Sequence, residues 1–137
     1  MEHKKNIMQI SQKRKNEQQD NLLEELRREK AAVLSRAGMA VEDAIGQLMN
    51  FDREIDVKIS LLKTFSRNEH VSKILQKKQL ICEEINLSIE QFNAIRQKAQ
   101  LQYYYLIVTR EALGLRRHEM IQEIYRIPAK KEKIQAI

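Results

Sequence analysis

Histidine, cysteine and tyrosine are the residues here with chemistry of their own, and their spacing decides which chemistry is open. The three histidines, His3, His70 and His118, stand alone, and none has a Glu three positions before it. The Glu-x-x-His pattern of di-iron helical bundles is therefore missing. No Cys/His group has zinc spacing, and no glycine-rich stretch resembles a phosphate loop. Cys82 is the single cysteine, so no internal disulfide can form, which fits a reducing compartment. These residues supply neither a nucleophile with its base nor a ligand set. The expectation is a protein that is not an enzyme and holds no metal or cofactor.

The tyrosines are different. All four, Tyr103, Tyr104, Tyr105 and Tyr125, fall between Gln102 and Pro128, and Tyr103–Val108 is the longest apolar run. Tyrosines beside arginines are typical of binding hot spots. The candidate partner-binding residues are Tyr103, Tyr104, Tyr105, Val108, Leu115, Arg116, Arg117 and Tyr125. Two readings stay open at this point: the rings complete a local core, or they meet a protein partner or a second copy of the chain.

The elements that must carry these residues are helices. The 137 residues include only three glycines and one proline, and 32% are charged. That is a helix-rich composition, short of the turn residues a sheet protein needs. From Leu22 a stripe runs through Leu26, Val33, Ala37, Ala40, Ala44, Leu48, Phe51, Ile55, Ile59, Leu62 and Phe65, in steps of three or four except from Leu26 to Val33, which spans two turns. A second stripe comprises Leu75, Cys82, Ile85, Ile89, Phe92, Arg96, Ala99, Tyr103, Leu106, Arg110 and Leu113. From Ile85 onward its steps alternate four and three, the pattern of a helix–helix seam. Cys82 on that seam reads as an inert buried thiol. Arg96 and Arg110 read as pairing with carboxylates of the first helix or reaching the edge.

Between the stripes, "FSRNEH" offers N-caps at Asn68, or at Ser66 with Glu69 three residues on. A short connector forces neighbouring antiparallel helices. The predicted fold is all-α: a long antiparallel, coiled-coil-like helical hairpin, with a short third C-terminal helix over His118–Tyr125 after a break at Gly114. The domain layout is a basic flexible arm at 1–16, one hairpin domain at 17–128, and a polar tail at 129–137. Gly38 and Gly46, among small neighbours, mark a close approach, a bend in the first helix, or only a slightly weakened helix.

On the second helix, Leu101, Tyr104, Val108, Ala112 and Leu115 make another apolar stripe, with Tyr105 and Ile107 outside both. A strand reading of "YYYLIV" fails for want of a partner strand. "TREALGLRRHEMIQEIY" resembles a helix-turn-helix, but Arg110 stands four residues before the turn glycine, where a small residue is normal.

The formal charge of +6 is uneven. Residues 1–15 carry five Lys/Arg against one Glu, and residues 115–137 carry six against three. In a hairpin both basic ends are expected at one pole, beside the tyrosines, where they either steer an acidic partner or only aid solubility. No apolar run reaches the ~20 residues of a membrane helix. The start has no apolar signal segment, so the expected location is cytoplasmic. The functional expectation is a helical protein–protein interaction module, such as an adaptor, scaffold subunit or secretion-type chaperone. The alternative is a nucleic-acid-binding protein that uses the basic pole.

Overall fold

A computed structural model describes residues 2–65 and 72–135. Three helices carry the chain: α1 (Glu2–Phe65), α2 (Ser72–Ala112) and α3 (Glu119–Ile124). There is no strand among the described residues. The proposed caps at Ser66, Asn68 and Glu69 lie outside them.

The chain divides into two compact units, Met1–Arg36 and Ala37–Ile137. Within the described part of the first unit there is only helix. From Asn6 to Val33 every residue of it is exposed, including Leu22, Leu26 and Val33. Periodicity assigned these three to a buried stripe, and that expectation is corrected here. Period 3.6 reveals an apolar face but not whether a second element exists to cover it. A unit with one helical segment has none.

The second unit buries its seam. Val41, Ala44, Leu48 and Ile55 of α1 face Cys82, Ile85, Ile89, Phe92, Ala99 and Leu106 of α2, all at most 4% exposed. The two helices pack as the antiparallel hairpin expected from the alternating steps. Near the closed end, Lys58 Nζ lies 3.5 Å from the buried Ser88 Oγ and 3.1 Å from Glu54. Lys58 therefore gives Ser88 a polar partner while its own charge stays with a carboxylate. Leu75, at the start of the second stripe, is 60% exposed and outside the seam.

Gly114 ends α2 rather than kinking it. Its φ of 88° lies in the left-handed region, which glycine enters without a Cβ clash. That turn lets Leu115 N–H reach Arg110 C=O at 2.8 Å and Gly114 N–H reach Glu111 C=O at 3.0 Å. These are the two bonds of a Schellman cap, and they satisfy carbonyls the helix end would otherwise leave open. The chain then reverses and enters α3.

The two other glycines differ in role. A Cβ on Gly38 would stand 3.3 Å from the Tyr125 hydroxyl, whereas one on Gly46 would meet nothing within 4 Å. Gly38 is thus a close-approach position for a ring, not for a second helix.

Candidate interaction surfaces

α2 positions the tyrosines, and its geometry separates them. Tyr103 is on the seam side and half-buried; its hydroxyl is buried with no hydrogen-bond partner among the described residues. Tyr104 and Tyr105 point away from the core, 61% and 50% exposed, with ring centroids 6.1 Å apart and planes tilted by 54°. Leu101, Val108 and Leu115 are also exposed. On a helix, residues 101, 104, 105 and 108 share one side, so the exposed apolar groups lie together. Arg116 and Arg117, just past Gly114, are exposed as well.

Tyr125 takes a different part. It is half-buried at the end of α3, and its hydroxyl donates to Glu42 Oε1 at 3.1 Å. Burial, and then the neighbouring Glu42 carboxylate, push its pKa above the usual tyrosine value. Tyr103 and Tyr125 line one shallow cleft with Gln122, Arg126 and Ile127. Of the eight candidates, then, Tyr104, Tyr105, Val108, Leu115, Arg116 and Arg117 are open to solvent, while Tyr103 and Tyr125 mostly brace the fold.

Among the described residues, the seam arginines pair with the returning chain and not with carboxylates of α1. Arg110 donates from Nε to His118 Nδ1 at 3.3 Å and from a terminal nitrogen to the Arg117 carbonyl at 2.8 Å. Because the guanidinium can only donate, His118 Nδ1 accepts, and its Nε2–H is left to donate to Glu111 at 3.2 Å. Arg96 donates to the Pro128 carbonyl at 2.8 Å. Both arginines hold the chain that returns after α2, because that chain brings free carbonyls to the seam edge.

This returning chain makes a second surface that sequence reasoning missed. Residues 126–135 form neither helix nor strand and run back along α2 as a strap, from Arg96 past Asn93 to Asn86. Asn93 grips Lys131 by its backbone: Nδ2 donates to the carbonyl at 2.8 Å and Oδ1 accepts from the N–H at 2.9 Å. Asn86 holds Ile134 in the same way, at 2.9 and 2.8 Å. The spacings match: seven helical residues from Asn86 to Asn93 rise about 10.5 Å, and three extended residues from Lys131 to Ile134 span about 10 Å.

Ile127 and Ile134 pack against the core cluster. Lys131 reaches Asp52 at 2.6 Å and lies 4.9 Å over the Phe92 ring. Residues 129–137 had read as a polar tail, yet Lys131 and Ile134 are half-buried. The available signal was two asparagines one heptad apart at the stripe's edge, with isoleucines recurring in the tail. The fold also places the C-terminal basic residues: Lys130, Lys131 and Lys133 line a cleft beside Glu90, Asn93 and Gln97, on a part of α2 before the tyrosines.

No three acidic, His or Cys residues group as a metal site among the described residues. No described helix is long and apolar enough to cross a membrane. No protein-family model, curated protein or solved structure matches the chain.

Proposed function

We propose that this chain is a helical protein–protein interaction module, without catalytic activity of its own, that binds through the tyrosine-bearing end of α2. An adaptor, a scaffold subunit and a secretion-type chaperone all work in this way. The observation that carries the reading is the exposure of Tyr104 and Tyr105 beside Leu101 and Val108 on the side of α2 facing away from the core. Contiguous exposed apolar groups mark interaction sites, and tyrosine gives large contact area at low entropic cost. Arg116 and Arg117 supply a polar rim.

The test replaces Tyr104 and Tyr105 together by alanine. Both rings are at least half-exposed, so melting should hardly change, while association with the protein partner captured from the host weakens by about 2 kcal/mol or more. A large loss of thermal stability with unchanged capture would sink the reading, because the rings would then be core.

The second reading, nucleic-acid binding by the basic termini, is favoured by Arg116, Arg117 and Lys130, all exposed. A salt titration against duplex and single-stranded DNA or RNA separates the two, since phosphate contacts produce a steep slope. The six residues of α3 are under two turns, a short element for reading a major groove.

A further inference from the structure

The outer face of α2 carries a pattern that the hairpin does not use. Leu80, Leu87, Ala94, Leu101 and Val108 are spaced seven apart. They form one continuous line along the helix. All five are exposed, the four large ones between 43% and 57%. No second helix covers the line among the described residues, although Ala94 borders the cleft that Lys130 to Lys133 of the strap also line. The line is also nearly a palindrome: Leu, Leu, Ala, Leu, Val, with the smallest residue in the middle.

We propose that this face binds the same face of a second copy, antiparallel, about a two-fold axis at Ala94. The proposal rests on the reading of α2's tyrosine-bearing side as a protein interaction surface, and names one partner for it. In this pairing Leu87 meets the second copy's Leu101, Leu80 meets its Val108, and the two Ala94 residues meet at the axis, with the strap of each copy at its flank. The interface is isologous, as closed dimers require.

The flanks choose the orientation. An antiparallel two-fold brings the same flank of each helix together. Glu83 then stands opposite the second copy's Tyr104, and Glu84 opposite its Tyr105. Phenolic hydroxyls thus meet carboxylates, as charge-assisted donors. A parallel, in-register pair would instead set Glu83 against Glu84 twice, like charge against like charge. All four residues are exposed and available for either arrangement.

The contact is modest. From Leu80 to Val108 the helix rises about 42 Å, and a strip about 10 Å wide gives a footprint on the order of 400 Å² per copy. That is below the ~800 Å² per partner of a standard interface. A dimer that dissociates on dilution through the micromolar range is expected.

Sedimentation of the full chain over a dilution series tests this. Wild type should pass from dimer to monomer, and Leu87→Glu should raise the dissociation constant by about 100-fold or more, because it sets two charges into the contact. Leu87 is 57% exposed, so at concentrations where wild type is also monomeric the variant's melting temperature should match it.

A spin label at Ala112 (A112C) reads orientation, the only native thiol, Cys82, being buried. Antiparallel pairing about Ala94 separates the two labels by about 54 Å along the axis, while parallel pairing leaves them side by side.

A wild type that stays monomeric, a dimer indifferent to Leu87→Glu, or a short label distance each overturns the proposal. The dimer contact includes the tyrosine end, but Leu87 is about 25 Å along the helix from Tyr104, so Leu87→Glu breaks self-pairing without altering the tyrosine side chains. If Leu87→Glu is monomeric yet still captures a host protein that the double tyrosine variant loses, the dimer and the tyrosine reading both stand. If the wild type is monomeric but that capture difference persists, only the dimer falls.

Discussion

The tyrosine end and the asparagine groove lie on one helix and are in opposite states. Tyr104 and Tyr105 offer large rings to solvent. Asn86 and Asn93, small and polar, are already engaged with the chain's own strap through four hydrogen bonds. Aromatic content therefore does not locate the tertiary contact here. The anchor is set by backbone groups that have no helix or strand to pair with, and an asparagine side chain carries both a donor and an acceptor. The rings are left free because the seam needs only one face of α2.

The sharpest way to break this contrast is to remove the two grips. Replacing Asn86 and Asn93 by alanine deletes four hydrogen bonds, and at roughly 1 kcal/mol net each the loss should be about 4 kcal/mol in a urea titration. Amide exchange at Lys131 and Ile134 should quicken at the same time. The Tyr104/Tyr105 double alanine variant should move stability by less than about 0.5 kcal/mol. Equal effects from the two variants would erase the distinction.

The glycines sharpen it next. Gly46→Ala should stabilise by about 1 kcal/mol, since it faces open space on a helix. Gly38→Ala gains the same propensity but must displace the Tyr125 hydroxyl, so it should fall short of Gly46→Ala. The shortfall, read from paired melts, measures how firmly Tyr125 is seated.

A smaller effect is expected at Tyr103. Its buried hydroxyl has no hydrogen-bond partner among the described residues, so Tyr103→Phe should leave stability unchanged or raise it by up to about 1 kcal/mol. A clear loss would mean that the hydroxyl is engaged in solution.

The smallest effect concerns pH. The folded state raises the pKa of Tyr125, which favours its neutral form. The contribution is thus fully present below the unfolded value near 10 and is lost as pH climbs through the folded pKa. Stability above pH 10 should fall slightly more steeply in wild type than in Tyr125→Phe.

Much of this was legible beforehand. The seam from Ile85 to Leu106 follows from alternating four- and three-residue steps, which only a helix pair reads. The break at Gly114 follows from glycine's access to positive φ. The fate of Leu22, Leu26 and Val33 was not legible, because periodicity marks a face and not its cover. Nor was the strap: Asn93 and Lys131 are 38 residues apart, and backbone-directed bonds leave no pattern in side-chain hydropathy. At the candidate site, the exposed stripe through Leu101, Tyr104 and Val108 could be drawn from spacing alone. The bracing role of Tyr125 depends on Gly38 and Glu42, both more than 80 positions away in the chain.

The match between a seven-residue helical step and a three-residue extended step has a consequence for how this chain can vary. Each asparagine holds a main chain and is indifferent to the side chain above it. Pro128, Ala129, Lys130, Glu132 and Lys133 are all exposed, so exchanges there cost little. Length is another matter. Adding or removing one residue between Lys131 and Ile134 shifts the tail by about 3.3 Å against a fixed helical spacing, and one grip must open. The strap should therefore tolerate wide substitution but no insertion or deletion, like a ruler whose graduations matter and whose colour does not.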